Sequence, residues 1–235
     1  MNKLRTIFIV ISLLQLSNIF AGEPQIKKNI NGFSYYEEAR FKINEITKPF
    51  YFVRHGQTDV NKYGIILEDS DNIPLNENGV AQIENTAKLL KDKNIKVIIT
   101  SPFPRARQTA EIINKELNVP IIYHDGLKEA NTGTIVGENF TQSANRTLWR
   151  EGGKVPNSEG LYPFEKRIHD SIKKIINKYD NALIVGHGVY FRHLAMLLNE
   201  TDIKAENGTA FHLIPITDNT NKELYKITSL TPSNK

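Results

Sequence analysis

The chain predicts an α/β fold: a three-layer arrangement with a mostly parallel central sheet and helices on both faces. Three observations carry that prediction. Short apolar runs of strand length at Phe50–Val53, Val97–Thr100, Ile121–Tyr123 and Ala182–Val185 alternate with longer stretches of helical spacing, the pattern of successive strand–helix units. Several of those helical stretches have identifiable ends. The 235 residues, 40% hydrophobic and 24% charged, suit one or at most two globular domains with a sizeable core.

The first 21 residues stand apart. Lys3 and Arg5 precede an apolar run from Ile7 to Leu16, broken only by Ser12 and Gln15, and the small residues Ala21 and Gly22 follow. This is the order of a secretory leader, with cleavage expected after Ala21. The run is short of the roughly 20 apolar residues of a spanning helix, so a cleaved signal is the first reading and an uncleaved anchor the second. The full chain carries 30 basic and 26 acidic side chains, net +4; without the leader it carries 28 and 26, net +2. Half the apparent basicity belongs to the leader, and nucleic acid is not an expected partner. The absence of cysteine excludes disulfides, thiolate metal sites and a cysteine nucleophile.

Residues 22–48 are polar and lysine-rich and are expected to pack as an N-terminal extension on a domain spanning 49–235. The helical spacing in this extension runs from about Tyr36 to Ile46. After the first apolar run, Asn76 is a candidate cap for a helix with Val80, Ile83, Ala87 and Leu90 on one face. A second helix follows the run at Val97, from about Pro104 to Leu117. A third spans Pro163 to Lys178, with Phe164, Ile168, Ile172 and Ile175 inward. A fourth begins after Gly188 and carries Phe191, Leu194, Ala195 and Leu198. Phe211–Ile216 and Leu224–Ile227, separated by Asp218-Asn219-Thr220-Asn221, read as a β-hairpin or two edge strands.

Candidate chemistry gathers where the apolar runs end, which is where open α/β sheets bind ligands. Phe52-Val53-Arg54-His55-Gly56-Gln57-Thr58 sets a fork-shaped cation beside a titratable nucleophile, with Gly56 allowing close approach of the backbone to a ligand. Arg105 falls in the first turn of the helix after Thr100, where guanidinium groups and free backbone N–H groups favour a phosphate. His187 lies between Gly186 and Gly188, a poor setting for a packed core histidine. Glu129 sits in a loop punctuated by Gly133 and Gly137. Each has a bland alternative when taken alone: a polar turn, a solvated arginine, a solvated glutamate. Together they supply a nucleophile, cations for phosphoryl oxygens and an acid/base.

The ordered set resembles the histidine phosphatase superfamily, in its phosphoglycerate mutase-like branch. The resemblance rests on Arg54-His55-Gly56-Gln57-Thr58 with Asn61; Pro74-Leu75-Asn76 with Gly79 and Gln82; and Ser101-Pro102 with Arg105-Ala106 and Gln108-Thr109-Ala110. It continues in Leu127 and Glu129 with Gly133 and Gly137, and in Gly186-His187-Gly188 with Arg192. It implies that His55 takes the phosphoryl group, that Arg54, Arg105 and His187 neutralise its oxygens, and that Glu129 serves as acid and base. Gly188, Gln57 and Asn61 become candidate phosphate or substrate contacts, and neither a metal nor another cofactor is expected. The implied partner is a small phosphorylated substrate.

Two departures from the family pattern, Val136 before Gly137 and Asn157-Ser158-Glu159-Gly160 before the third helix, bear on substrate rather than chemistry. The stretch between Glu129 and His187 lacks the long insertion of the glycolytic mutases, which favours hydrolysis over mutase chemistry, and the leader argues the same way. A phosphomutase and a non-catalytic phospho-ligand binder remain the alternatives. Trp149, with Arg146, Arg150 and Lys154 nearby, is either a substrate-facing aromatic or, in the favoured reading, a core residue.

Overall fold

The computed structural model describes residues 24–28, 34–40, 45–64, 72–133, 137–139, 142–200, 203–217 and 223–230. The leader, residues 218–222 and Val136 lie outside them. Six strands form the main sheet: β3 (Phe50–Arg54), β4 (Val97–Thr100), β5 (Ile121–Tyr123), β6 (Ala182–Gly186), β7 (Ala210–Thr217) and β8 (Glu223–Leu230). Their spatial order is β5-β4-β6-β3-β7-β8. The first four run parallel, while β7 pairs antiparallel with β3 and with β8. The sheet is thus mixed and mostly parallel, as expected, and its hairpin strands are longer than the sequence suggested.

Successive side chains of a strand face opposite sides, and the core divides accordingly. Phe50, Phe52, Ile99 and Ile184 face one layer; Tyr51, Val53, Ile98, Leu183 and Val185 face the other. Strands buried on both faces have to be apolar at every position, which is why these runs show no alternation. The second layer is closed by α2 (Glu77–Leu90) and α3 (Pro104–Leu117), through Ile83, Ala87, Leu90, Ala106, Ala110 and Ile113. On the first layer lie α4 (Ala144–Arg150), α5 (Leu161–Lys178) and α6 (Gly188–Leu197), through Trp149, Phe164, Ile168, Phe191 and Leu194.

The helix ends follow local chemistry. Asn76 caps α2 by accepting from the Gly79 N–H at 2.9 Å. Pro104 opens α3, where its missing N–H costs nothing, and Asn118 closes it in the left-handed conformation at φ 50°. Helix α5 starts two residues earlier than its spacing suggested, because Gly160 at φ 73° turns the chain into it and Pro163 fits the first turn. Two short helices went unforeseen: α4 and α1 (Asp59–Tyr63), the latter held by a reciprocal cap between Thr58 and Asn61. Trp149 is fully buried against Phe164 and His193, at ring distances of 5.4 and 5.9 Å. It is a core residue.

Among the described residues of Tyr36–Ile46, the expected helix is not formed. Instead β2 (Ser34–Tyr36) pairs antiparallel with β1 (Ile26–Lys28), and a 3-10 turn at Glu37–Ala39 follows. Residues 41–44 lie outside the described residues. Strand pairing wins here because it places Tyr36 against Tyr162 of α5, with ring centroids 5.1 Å apart, and lets the Tyr36 N–H donate to buried Glu165 at 2.7 Å. Helical spacing alone could not reveal these partners.

Candidate active site

The strand order explains why distant motifs meet. Strand β6 lies between β4 and β3, so their carboxyl ends present Ser101 with Arg105, His187, and Arg54 with His55 along one rim. Cross-links fix the rim. The His55 N–H donates to Gly186 O at 3.0 Å, Ser101 N–H to Val185 O at 3.0 Å, and Arg54 N–H to Thr209 O at 3.2 Å. The Gly208 N–H returns to Arg54 O at 3.1 Å, and Asn207 Nδ2 donates to His55 O at 3.1 Å.

Gly56 serves this frame. A Cβ at Gly56 would lie 2.5 Å from Gly79 O, and one at Gly79 would lie 2.2 Å from Gln57 O. The two glycines let the His55 loop press on the start of α2. The Gly56 N–H completes the contact by donating to Thr109 Oγ1 of α3 at 3.2 Å.

His55 is buried, and its Nδ1 lies 2.8 Å from the carbonyl oxygen of Gly56. A carbonyl only accepts, so Nδ1 carries the proton and Nε2 keeps its lone pair. Burial lowers the pKa of His55 well below its ordinary 6.5, and the cations of Arg105 and Arg54 add to the effect. At neutral pH the ring is therefore a neutral base with Nε2 available for attack.

His187 precedes α6 and is fully buried. Arg105 Nε donates to its Nδ1 at 3.3 Å, and its Nε2 lies 2.8 Å from Ser101 Oγ. Because a guanidinium N–H only donates, Nδ1 accepts and the proton of the neutral ring sits on Nε2, given to Ser101. Burial again leads the lowering of its pKa, followed by Arg105, His55, Arg54 and Arg167. Phe103 packs on its edge with centroids 5.4 Å apart, and the Arg105 guanidinium lies 4.8 Å above the Phe103 ring.

Arg54 ends β3 with Nη1 donating to Ala205 O at 2.8 Å, while its buried Nε has no hydrogen-bond partner. Burial pulls its pKa down, and Glu129 and Glu206 oppose that; a guanidinium remains charged regardless. Gly188 lies directly against it, since a Cβ there would be 3.1 Å from Cζ and from Nε. Two guanidinium groups and an imidazole thus converge beside His55, the expected nucleophile, an arrangement that favours a phosphoryl group.

Glu129 follows a 3-10 turn at Asp125–Leu127. Its Oε2 accepts from Val189 N–H at 2.9 Å, and its Oε1 from Tyr190 N–H at 2.9 Å and Ala130 N–H at 3.0 Å. The carboxylate therefore sits on the N-terminus of α6, where the helix dipole favours negative charge, one turn from His187. It also lies within electrostatic reach of Arg54 and of Arg146, whose pKa burial pushes down to about 10.

Gln57 and Asn61 make structural contacts. Gln57 Oε1 accepts from Asn76 Nδ2 at 3.2 Å and its N–H donates to Gln82 Oε1 at 3.0 Å, tying the loop to α2. Asn61 Oδ1 accepts from Thr58 N–H at 3.2 Å and from Asn207 Nδ2 at 3.0 Å. Asn207 and Thr109 thus belong to the site's frame; Thr109 was legible only within the motif that follows Arg105, and Asn207 was not singled out from the sequence. Among the described residues, no group of three or more histidine or carboxylate side chains is placed to share a metal ion.

Residues 50–224 match the family described as the histidine phosphatase superfamily (branch 1). The protein named "Uncharacterized phosphatase PhoE" of Bacillus subtilis (strain 168) is 38% identical over 138 residues, covering 58% of this chain and 69% of that protein. "Probable phosphoglycerate mutase GpmB" of Photorhabdus laumondii is 32% identical over 149 residues, covering 59% and 69%. A mycobacterial glucosyl-3-phosphoglycerate phosphatase, solved with VO3, shares the fold with a TM-score of 0.65 at 20% identity, over 77% of this chain and 97% of that one. With residues 50–224 matched and its own motifs gathered at the strand ends of one rim, the chain belongs to the histidine phosphatase superfamily, branch 1.

Proposed function

We propose that the protein is an exported phosphomonoesterase that works through a phosphohistidine on His55 and needs no metal. The observation that supports this most is the state of His55: neutral, with its Nδ1 proton committed to Gly56 O, beside Arg54 and Arg105. In the first step Glu129, having taken up a proton as the anionic ester binds beside it, gives that proton to the departing oxygen while His55 Nε2 attacks phosphorus and the P–O ester bond breaks. In the second, water attacks phosphorus as Glu129 removes its proton, the P–N bond breaks, and phosphate leaves with both His55 and Glu129 restored. The guanidinium groups supply the positive charge that a metal supplies in other phosphoryl-transfer sites.

Hydrolysis is favoured over transfer to a second hydroxyl by the short stretch between Glu129 and His187, and by the leader with Lys3, Arg5 and its apolar run. The mutase reading draws support from the relative named as a phosphoglycerate mutase. The test is phosphate release from an aryl phosphate in the presence of a chelator, beside an assay of phosphoryl transfer within a phosphoglycerate. Release that survives chelation and disappears in His55→Ala supports the proposal. Loss of activity on chelation, or isomerisation in place of release, contradicts it.

A further inference from the structure

The loop carrying Glu129 leaves its 3-10 turn and runs to Asn131 without regular secondary structure. Its own backbone ladder therefore does not fix where the carboxylate points. The Val189 and Tyr190 N–H groups hold the carboxylate itself, and two side chains outside the loop hold the backbone that carries it. From α5, Arg167 Nη1 donates to Gly126 O at 3.0 Å and to Lys128 O at 2.8 Å, and Nη2 approaches Glu129 O at 3.5 Å. The same guanidinium forks onto Glu159, with Nη2 2.8 Å from Oε1 and Nε 3.1 Å from Oε2. Glu159 then grips the loop beyond Glu129: its Oε1 accepts from Asn131 N–H at 2.8 Å and its own N–H donates to Asn131 O at 3.0 Å.

The loop is thus held by its carbonyls before Glu129 and by the N–H and C=O of Asn131 after it. The Arg167 guanidinium lies 5.0 Å above the ring of fully buried Phe164, which anchors the clamp to the core. An isolated ion pair of this exposure contributes little. Here the fork fixes the guanidinium plane so that its remaining donors meet the two carbonyls. Glu159, in the segment expected to bear on substrate choice, contacts Arg167 and the Glu129 loop.

We propose that Arg167 and Glu159 are positioning residues for the proton transfer, holding the Glu129 carboxyl at the ester oxygen; this rests on Glu129 being the acid of the proposed reaction. Proton transfer depends steeply on donor–acceptor geometry. Loosening the clamp should therefore harm esters whose leaving group needs the proton and spare those that do not.

The experiment compares kcat/KM for 2,4-dinitrophenyl phosphate and for an alkyl phosphate such as glycerol phosphate. The variants are Arg167→Gln, Arg167→Lys, Glu159→Gln, Glu129→Gln and the pair Glu129→Gln with Arg167→Gln, all in the full chain. Arg167→Gln is expected to lose about 10- to 100-fold on the alkyl ester, part of the roughly 10²–10⁴ an acid contributes, and less than about 3-fold on the dinitrophenyl ester. Glu159→Gln should follow in the same direction, Arg167→Lys should rescue in part, and Arg167→Gln should add nothing to Glu129→Gln. Equal losses on both esters, or a full multiplicative loss in the pair, would overturn the proposal. Should Arg167→Gln fail to fold, Glu159→Gln, which keeps side-chain shape, decides by the same comparison. A Glu129→Gln variant that shows no dependence on leaving group removes the acid role and the proposal with it. Dependence in Glu129→Gln but not in the Arg167 and Glu159 variants removes the positioning role alone.

Discussion

The rings of His55 and His187 meet edge to face with centroids 5.2 Å apart, and their hydrogen bonds hold them in opposite tautomers. His55 keeps its proton on Nδ1 through Gly56 O, while His187 keeps its proton on Nε2 through Ser101 and accepts on Nδ1 from Arg105. Nitrogen-15 NMR of the imidazoles should show this opposition at neutral pH. Ser101→Ala removes the acceptor of the His187 proton and is expected to cost about 1–3 kcal/mol of stability, to mix the His187 tautomers and to leave His55 unchanged. Identical tautomers for the two rings in the unaltered protein would contradict the assignment.

Both histidines have their pKa lowered well below the ordinary 6.5, first by burial and then by neighbouring cations. Between 6.5 and the lowered folded-state values, the unfolded chain binds protons that the folded chain refuses. Their contribution to stability is therefore fully present above about pH 6.5 and is lost as pH falls through that window. Denaturant titrations at a series of pH values should show this loss, reduced in His187→Gln. The acid limb of kcat/KM should lie below the ordinary histidine range, because His55, the proposed nucleophile, remains unprotonated there. An acid limb centred near 6.5 contradicts the electrostatic account.

The Gly56–Gly79 contact leaves no room for a side chain. Gly56→Ala would set a Cβ 2.5 Å from a backbone oxygen that cannot rotate away, so a loss of about 1–3 kcal/mol or more is expected. The strain falls on the peptide whose carbonyl orients His55, and activity should decrease by more than stability alone explains. A variant of unchanged stability and activity would show that the loop accommodates the methyl group.

Gly188 stands against the Arg54 guanidinium with less crowding. In Gly188→Ala the new Cβ would lie 3.1 Å from Cζ, a distance relieved by a shift of a few tenths of an ångström. Since Arg54 is proposed to hold phosphate in the ground state as well as the transition state, KM should rise, about 10-fold, with a smaller change in kcat. An unaltered KM would place phosphate away from this guanidinium.

Much of this arrangement was legible where the information is local. Phe50–Val53 and Ala182–Val185 are apolar at each position because both faces are covered, so the strands and the motifs at their ends could be read directly. The helices α2 and α3 carried their own cap and proline. What escaped depends on partners distant in sequence. Helical spacing in Tyr36–Ile46 gave way to pairing with β1 and to the bond from Tyr36 to Glu165. Gly56 was read as allowing close approach to a ligand, and its tight contact with Gly79, 23 residues away, was not foreseen. Arg167 and Asn207 were not singled out from the sequence, because only tertiary contacts set them under the Glu129 loop and behind His55.

The central claim is a covalent phosphoryl group on His55, and rapid-quench trapping with a radiolabelled phosphate ester tests it most directly. An acid-labile, alkali-stable phosphoenzyme should form in the unaltered protein, accumulate most when the leaving group is good, and be absent from His55→Ala while persisting in Glu129→Gln. Undiminished labelling of His55→Ala, or none of the unaltered protein during turnover, would contradict it.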